Sequence, residues 1–316
     1  MKYLKNAWAA SRPLTATCLI MTAALLLSMV GLIFDHRTIT GAPAWLKPAK
    51  FALSTALYAG TVAWIFHHVR VWPCLIRFLG RVLAAVLLIE VAIIDLQAAR
   101  GTTSHFNLST PLNATLFGIM GICIAILLLA SIAVVVALFR QRFTEAAFGW
   151  SLRLGMLITV LGASLGGLMT APTHEQKQLF ASHQTPRIIG GHTIGAIDGG
   201  RALPVVGWSA NHGDLRIPHF LGLHAIQILP LIYFLLRRRK TSEGSLPALV
   251  GIAAASYFTL VAILTWQALR GQSIAEPDAR TVIALAVWLI ASVCGFTAFN
   301  SKIPNESFAA QSPVAL

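Results

Sequence analysis

Five side chains sit where an apolar membrane segment has little reason to carry them: Glu90, Asp95, His219, His224 and Gln227. Polar and ionisable groups at membrane depth are expensive and mark functional sites by default. A carboxylate there costs several kcal/mol unless it is neutral, paired or hydrated. The chemistry such groups support is proton transfer or ligation of a cofactor. Glu90, Asp95 and His224 are the catalytic candidates. His219, Gln227, Lys50 and Arg100 are candidates for holding a ligand or cofactor. His105, His219 and His224 form the candidate metal set, because imidazoles with a nearby carboxylate suit a transition metal. A metal ion or a haem is therefore the cofactor class considered. A haem held by two histidines takes one from each of two facing helices. Two on one helix, five apart, cannot flank one iron, so His105 or Met169 would have to serve the far side.

Helical geometry orders these residues. At 100° per residue Glu90 and Asp95 lie about 140° apart, while Glu90 and Gln97 nearly eclipse. His219, Gln227 and His224 occupy one sector about 140° wide, which suits a pocket wall. Depth gives pairings between the two polar helices. His224 lies roughly 9 Å below Pro218, and Asp95 roughly 7.5 Å below Arg100. Depth thus predicts Asp95 beside His224 and Glu90 beside Gln227.

The elements that must position them are membrane spans. Of 316 residues, 56% are hydrophobic and 11% charged, with a mean hydropathy of +0.73. About 20 apolar residues span a bilayer core. Such runs occur at residues 14–34, 51–69, 82–99, 114–139, 148–170, 218–236, 246–269 and 280–299. The chain reads as an all-α, polytopic membrane protein of about eight transmembrane helices, one integral bundle over residues 1–316. The basic start before residue 14 resembles a signal peptide, but the run to Phe34 is long and lacks a small-x-small cleavage site, so it reads as a retained span.

The net charge of +13 follows from the positive-inside rule; nucleic acid is not the partner it points to. With the N-terminus inside, 14 of 24 basic residues fall on the cytoplasmic side, Lys240 and Lys302 among them. Both termini are then cytoplasmic, residues 300–316 form a polar tail, and the location is a bacterial-type inner membrane. The four cysteines include no Cys-x-x-Cys and none lies in an outer loop, which argues against a disulfide framework.

Eight of the ten histidines fall on the outer half. The single long outer loop, 171–217, is sparse in charge and contains Leu, Ile, Val and Trp208, which predicts a folded cap over the bundle. Its Gly190–Gly200 stretch has neither Gly-Lys-Ser/Thr nor a βαβ setting, so it is not a phosphate-binding loop, and His174-Glu175 lacks the second histidine of a zincin. Residues 100–113 form a polar turn centred on His105 and Asn107. Trp45, Lys47 and Lys50 suit an interfacial belt, with Lys50 also placed to hold an anion or pair with an acid. Gly162 and Gly166 make a small-xxx-small pattern for close helix contact. Asp214 is the candidate cap of the sixth span.

Three function classes fit. A membrane-embedded enzyme or redox protein with a His/Asp/Glu pocket in the outer half is favoured, taking a small-molecule or ion ligand from the outer side. A proton- or ion-coupled transporter would use Glu90 as its relay, but no inverted repeat and no polar inner half support it. A receptor or assembly factor would use the buried polar groups for pairing alone. Membrane lipid is the one partner that composition requires.

Overall fold

The computed structural model describes residues 2–239 and 244–300. Lys240, Lys302 and the tail beyond Asn300 lie outside them. A short helix α1 (Lys2–Ala10) leads into α2 (Arg12–Phe34), followed by a tiny hairpin of β1 (Thr38–Ile39) and β2 (Ala42–Pro43). Four long helices come next: α3 (Leu46–His67), α4 (Pro73–Ala99), α5 (Pro111–Arg140) and α6 (Ala146–Met169). The long connection carries α7 (His174–Ala181) and pairs β3 (Thr193–Ile194) with β4 (Gly213–Asp214). The chain then runs through α8 (Arg216–Leu223), α9 (Ala225–Arg238), α10 (Leu246–Leu269) and α11 (Ala279–Asn300).

Seven described helices are long and apolar enough to cross a membrane, and α8 with α9 makes an eighth if the bent pair is one span. The chain is a multi-pass membrane protein. Several helices outrun their apolar runs. The third span begins at Pro73 rather than near residue 82, because Arg77 and Arg81 ride on a helical turn that the hydropathy pattern does not reach. The sixth span is not continuous, as its apolar pattern suggested, but breaks at His224 with a 49° bend.

That break has an identifiable cause. The Thr159 hydroxyl on α6 donates to the Leu223 carbonyl and accepts from the Ile226 N–H (3.2 and 3.1 Å). Tyr257 on α10 donates to the Leu221 carbonyl at 2.6 Å. Side chains from neighbouring helices thus satisfy backbone groups that the kink would leave unpaired in lipid. Pro218 costs nothing, since it lies among the first residues of α8, whose N–H groups have no helical partner. Asp214 accepts from the Arg216 N–H at 3.0 Å, so it caps α8 from one residue before Leu215, the residue that flanks the helix.

One stripe on α6 receives the broken span. Gly155, Thr159, Gly162 and Gly166 face it in turn, and a Cβ on Gly162 would stand 2.5 Å from Gly222 backbone atoms. On Gly166 it would meet the His219 ring at 3.2 Å. Within lipid, where burial drives no helix association, close approach of this kind supplies the packing. At the opposite end from the long connection, Leu14, Val62, Ile65, Leu79, Leu83, Val134, Leu138, Leu152 and Met156 fill the centre of the bundle.

The long connection is tied down rather than slack. Residues 106–108 pair with 187–189 through Ile189 N–H to Phe106 O (3.0 Å) and Leu108 N–H to Arg187 O (2.8 Å). Gln176 caps α7 and also holds the Gly190 backbone at both its N–H and its carbonyl.

Gly162→Val should cost roughly 1–3 kcal/mol or more, the usual range for overpacking, whereas Gly118→Ala, which meets nothing within 4 Å, should be neutral. Thermal unfolding of both variants in detergent checks this; equal midpoints would contradict the close contact.

Candidate functional site

The site is built at the loop-bearing end around His105. This residue follows α4 in the turn to α5, where Asn107 fixes the backbone by donating to the Thr103 carbonyl and the Thr102 hydroxyl (both 3.0 Å). Gln97 and Arg100 converge on the Asn113 side-chain carbonyl (both 3.1 Å), locking the ends of α4 and α5 together. Arg100 therefore braces helices here through Nη1.

The ring of His105 is hydrogen-bonded at Nδ1, and its Nε2 faces Glu90. Nδ1 lies 3.1 Å from Lys47 Nζ and 3.1 Å from Ser104 Oγ. Nε2 lies 3.5 Å from Glu90 Oε1. With Lys47 as the donor, Nδ1 is bare and the ring proton sits on Nε2, facing Glu90. The result is a three-residue chain, Lys47–His105–Glu90, from the mouth of α3 to the interior of α4. Phe51, one turn below Lys47, tilts against the imidazole at 5.6 Å and closes its face. Glu90 is only 5% exposed, and its Oε2 has no partner.

A second cluster adjoins the first. Phe106 contacts the His192 ring at 5.0 Å. His192 Nδ1 donates to Asp198 Oδ2 at 2.7 Å, and the Asp198 carboxylate also accepts from the N–H groups of His192 and Thr193. His219 Nδ1 donates to the Gly162 carbonyl at 2.8 Å, in the space that Gly166 leaves open. Lys50 donates to the Val206 carbonyl (2.9 Å), and Arg216 to the next one, Gly207 (2.7 Å). Arg216 also grips Asp214 through two parallel bonds of 2.9 and 2.6 Å, a strong geometry for a guanidinium and a carboxylate.

Several expectations fail here. Asp95 does not pair with His224, nor Glu90 with Gln227. Glu90 turns to His105, while Gln227 Nε2 donates to Thr61 Oγ1 on α3 (3.2 Å) and leaves its Oε1 unpartnered. Asp95 stays on α4 with an unpartnered Oδ1. The main neighbours of α4 are α2, α3 and α5, whereas α8 and α9 lie against α6 and α10. The metal set also separates. His105 has both nitrogens engaged, His219 is tied to α6, and His224 lies edge-on to Phe220 at 4.4 Å. Among the described residues no three His, Cys, Asp or Glu side chains gather as a metal site. Met169 packs with Phe106, Leu215 and Ala268 and presents no soft ligand.

The structure adds Lys47, His192, Asp198 and Arg216. Lys47 reads in the sequence as an interfacial anchor, and nothing local distinguishes it from one. The His192–Asp198 pair had a faint signal: a turn with Gly190, Gly195 and Gly199, all now at positive φ, which folds residues six apart onto each other.

Comparison with protein-family models, with curated proteins and with solved structures gives no match. The geometry alone carries the functional argument.

Burial, followed by the charge of Lys47, holds the His105 imidazole well below its ordinary value; burial lowers His192 too, partly offset by Asp198. Burial alone would raise the Asp198 carboxyl, but hydrogen bonds from His192 and Thr193 hold it below the usual carboxylate range. Both imidazoles are thus neutral at pH 7. The unfolded chain takes up protons near pH 6.5, about the ordinary histidine value, and the native state does not. Their contribution to stability is present above that pH and is lost as pH falls through it. The thermal midpoint should drop between pH 7.5 and 5.5, and drop less in His105→Gln; equal slopes would contradict the assignment.

Proposed function

We propose that this protein is a membrane-embedded enzyme with an acid–base site in the outer half of the bilayer, in which Glu90 exchanges a proton with substrate. The observation that carries this reading is the Lys47–His105–Glu90 chain, with Glu90 Oε2 buried and unpartnered at its inner end. A structural carboxylate at this depth would normally use both oxygens. One held through Oε1 and left bare at Oε2 is placed to give or take a proton. Lys47, donating to Nδ1, sets the tautomer of His105, and His105 faces the Glu90 carboxyl across 3.5 Å. A positioned group of this kind contributes typically 10²–10⁴ in rate.

The one-sided layout supports an enzyme over a transporter. Below Glu90 the bundle centre is an apolar cluster that includes Val62, Ile65, Val134 and Met156, with Cys18 and Tyr58 packed at its edge. Access is from the side of the long connection, where Lys50, His192 and Arg216 retain accessible surface. The location that fits is a bacterial inner membrane with this connection outside, and no nucleic acid is involved.

Purified protein in liposomes, incubated with cell lipid and small-molecule extracts, should convert at least one component, read by mass spectrometry. Glu90→Gln should slow that conversion at least 100-fold. Unchanged turnover in this variant would overturn the reading. Discharge of an imposed pH gradient that Glu90→Gln abolishes would establish a transporter instead.

A further inference from the structure

We propose that the substrate is a membrane amphiphile with a phosphate head group, which enters sideways through a window between α3 and the bent α8–α9 pair. This names the substrate class of the site above and rests on that reading for its catalytic meaning.

The window follows from where the two elements touch. On α3, residues 50, 54, 57, 61 and 64 form one stripe, and residues 220, 224 and 227 form the facing one. The stripes are joined at their lower end, where Gln227 meets Thr61 and Phe234 meets Trp64 at 6.2 Å. They are joined at the top only through the long connection, where Lys50 holds Val206 O. Among the described residues, no hydrogen bond, ion pair or ring contact joins α8 itself to α3. Lys50 and Thr61 lie about 16 Å apart along the helix axis. Between them Leu53, Leu57 and Phe220 are exposed and His224 is half-buried. The bend at His224 carries α8 off the line of α9 over this same interval.

The frame of the window is polar and its sides are apolar. Above stand Lys50 and Arg216, with Lys47 one turn earlier on α3. Arg216 is neutralised by Asp214. Among the described residues, neither Lys47 nor Lys50 forms an ion pair with a carboxylate; their partners are His105 and a backbone carbonyl. Two lysines three residues apart on one helix lie on neighbouring positions. Together they match a head group with more than one anionic oxygen. Below stands Gln227, whose Nε2 donates to Thr61 Oγ1 and closes the lower end of the window. Leu53, Leu57 and Phe220 offer hydrocarbon contact to the tail. An anion with no tail would satisfy the lysines alone; the apolar sides require a chain.

Native mass spectrometry of the full chain with dioleoyl phosphatidate, compared with dioleoyl phosphatidylcholine, tests this. We expect one phosphatidate bound per chain, with at least tenfold weaker binding in Lys50→Gln, whose side chain stands at the surface, and in Leu57→Trp, which fills the window. Lys177→Gln, on the long connection, should bind as the parent does. Inorganic phosphate at the same concentration should not displace the lipid. Equal binding of phosphatidylcholine, unchanged binding in Lys50→Gln, or displacement by inorganic phosphate would each overturn the proposal. Should Leu57→Trp fail to fold, Leu57→Phe takes its place. Binding is read here without turnover, so lipid bound without conversion refutes the enzyme alone, and conversion without lipid binding refutes the window alone.

Discussion

A carboxyl group at membrane depth sets the terms for this molecule. Removing Glu90 from water costs several kcal/mol unless its neighbours compensate, and no basic side chain on α4 faces it. Compensation comes from His105 in the next turn, and His105 is useful only because Lys47 and Ser104 occupy its other nitrogen. That arrangement requires the α4–α5 turn to hold one shape. The Gln97–Arg100–Asn113 knot and the Asn107 bonds provide it. The strand-like pairing of 106–108 with 187–189 then ties the long connection to the same turn. Much of the loop-bearing end can be traced outward from one acidic side chain.

The other constraint is the packing of α6 against the broken span. Glycines at 155 and 162 bring backbones within reach, Gly166 leaves room for the His219 ring, and Thr159 repairs the break where His224 interrupts the helix. The bend therefore has a defined partner on α6, and it separates α8 from the course of α9. It also sets His219 against Gly162 and leaves His224 edge-on to Phe220.

The sequence makes the spans legible, because twenty apolar residues at a stretch leave few alternatives, and the small-xxx-small stripe on α6 was visible for the same reason. Glu90 also stood out by type and depth, and His105 as the centre of a polar turn. Their partners did not. Matching depths on two helices suggested Asp95 with His224, yet depth is a single coordinate. Which helices adjoin is decided by packing across the bundle, and α4 was placed against α3 and α5. The break at His224 was hidden because the residue that stabilises it, Thr159, lies some 65 positions earlier and is an ordinary span residue by pattern. Lys47 was hidden by a different cause: an interfacial lysine and a half-buried one look alike until the turn carrying His105 is folded over it.

The account stands on the state of His105 at the centre of the chain from Lys47 to Glu90. Solid-state ¹⁵N NMR of histidine-labelled protein in lipid at pH 7, with the resonance assigned by its loss in His105→Gln, reads that state directly. A neutral ring with its proton on Nε2 and a bare Nδ1 is the result the geometry predicts. An imidazolium, or a neutral ring with its proton on Nδ1, would contradict it.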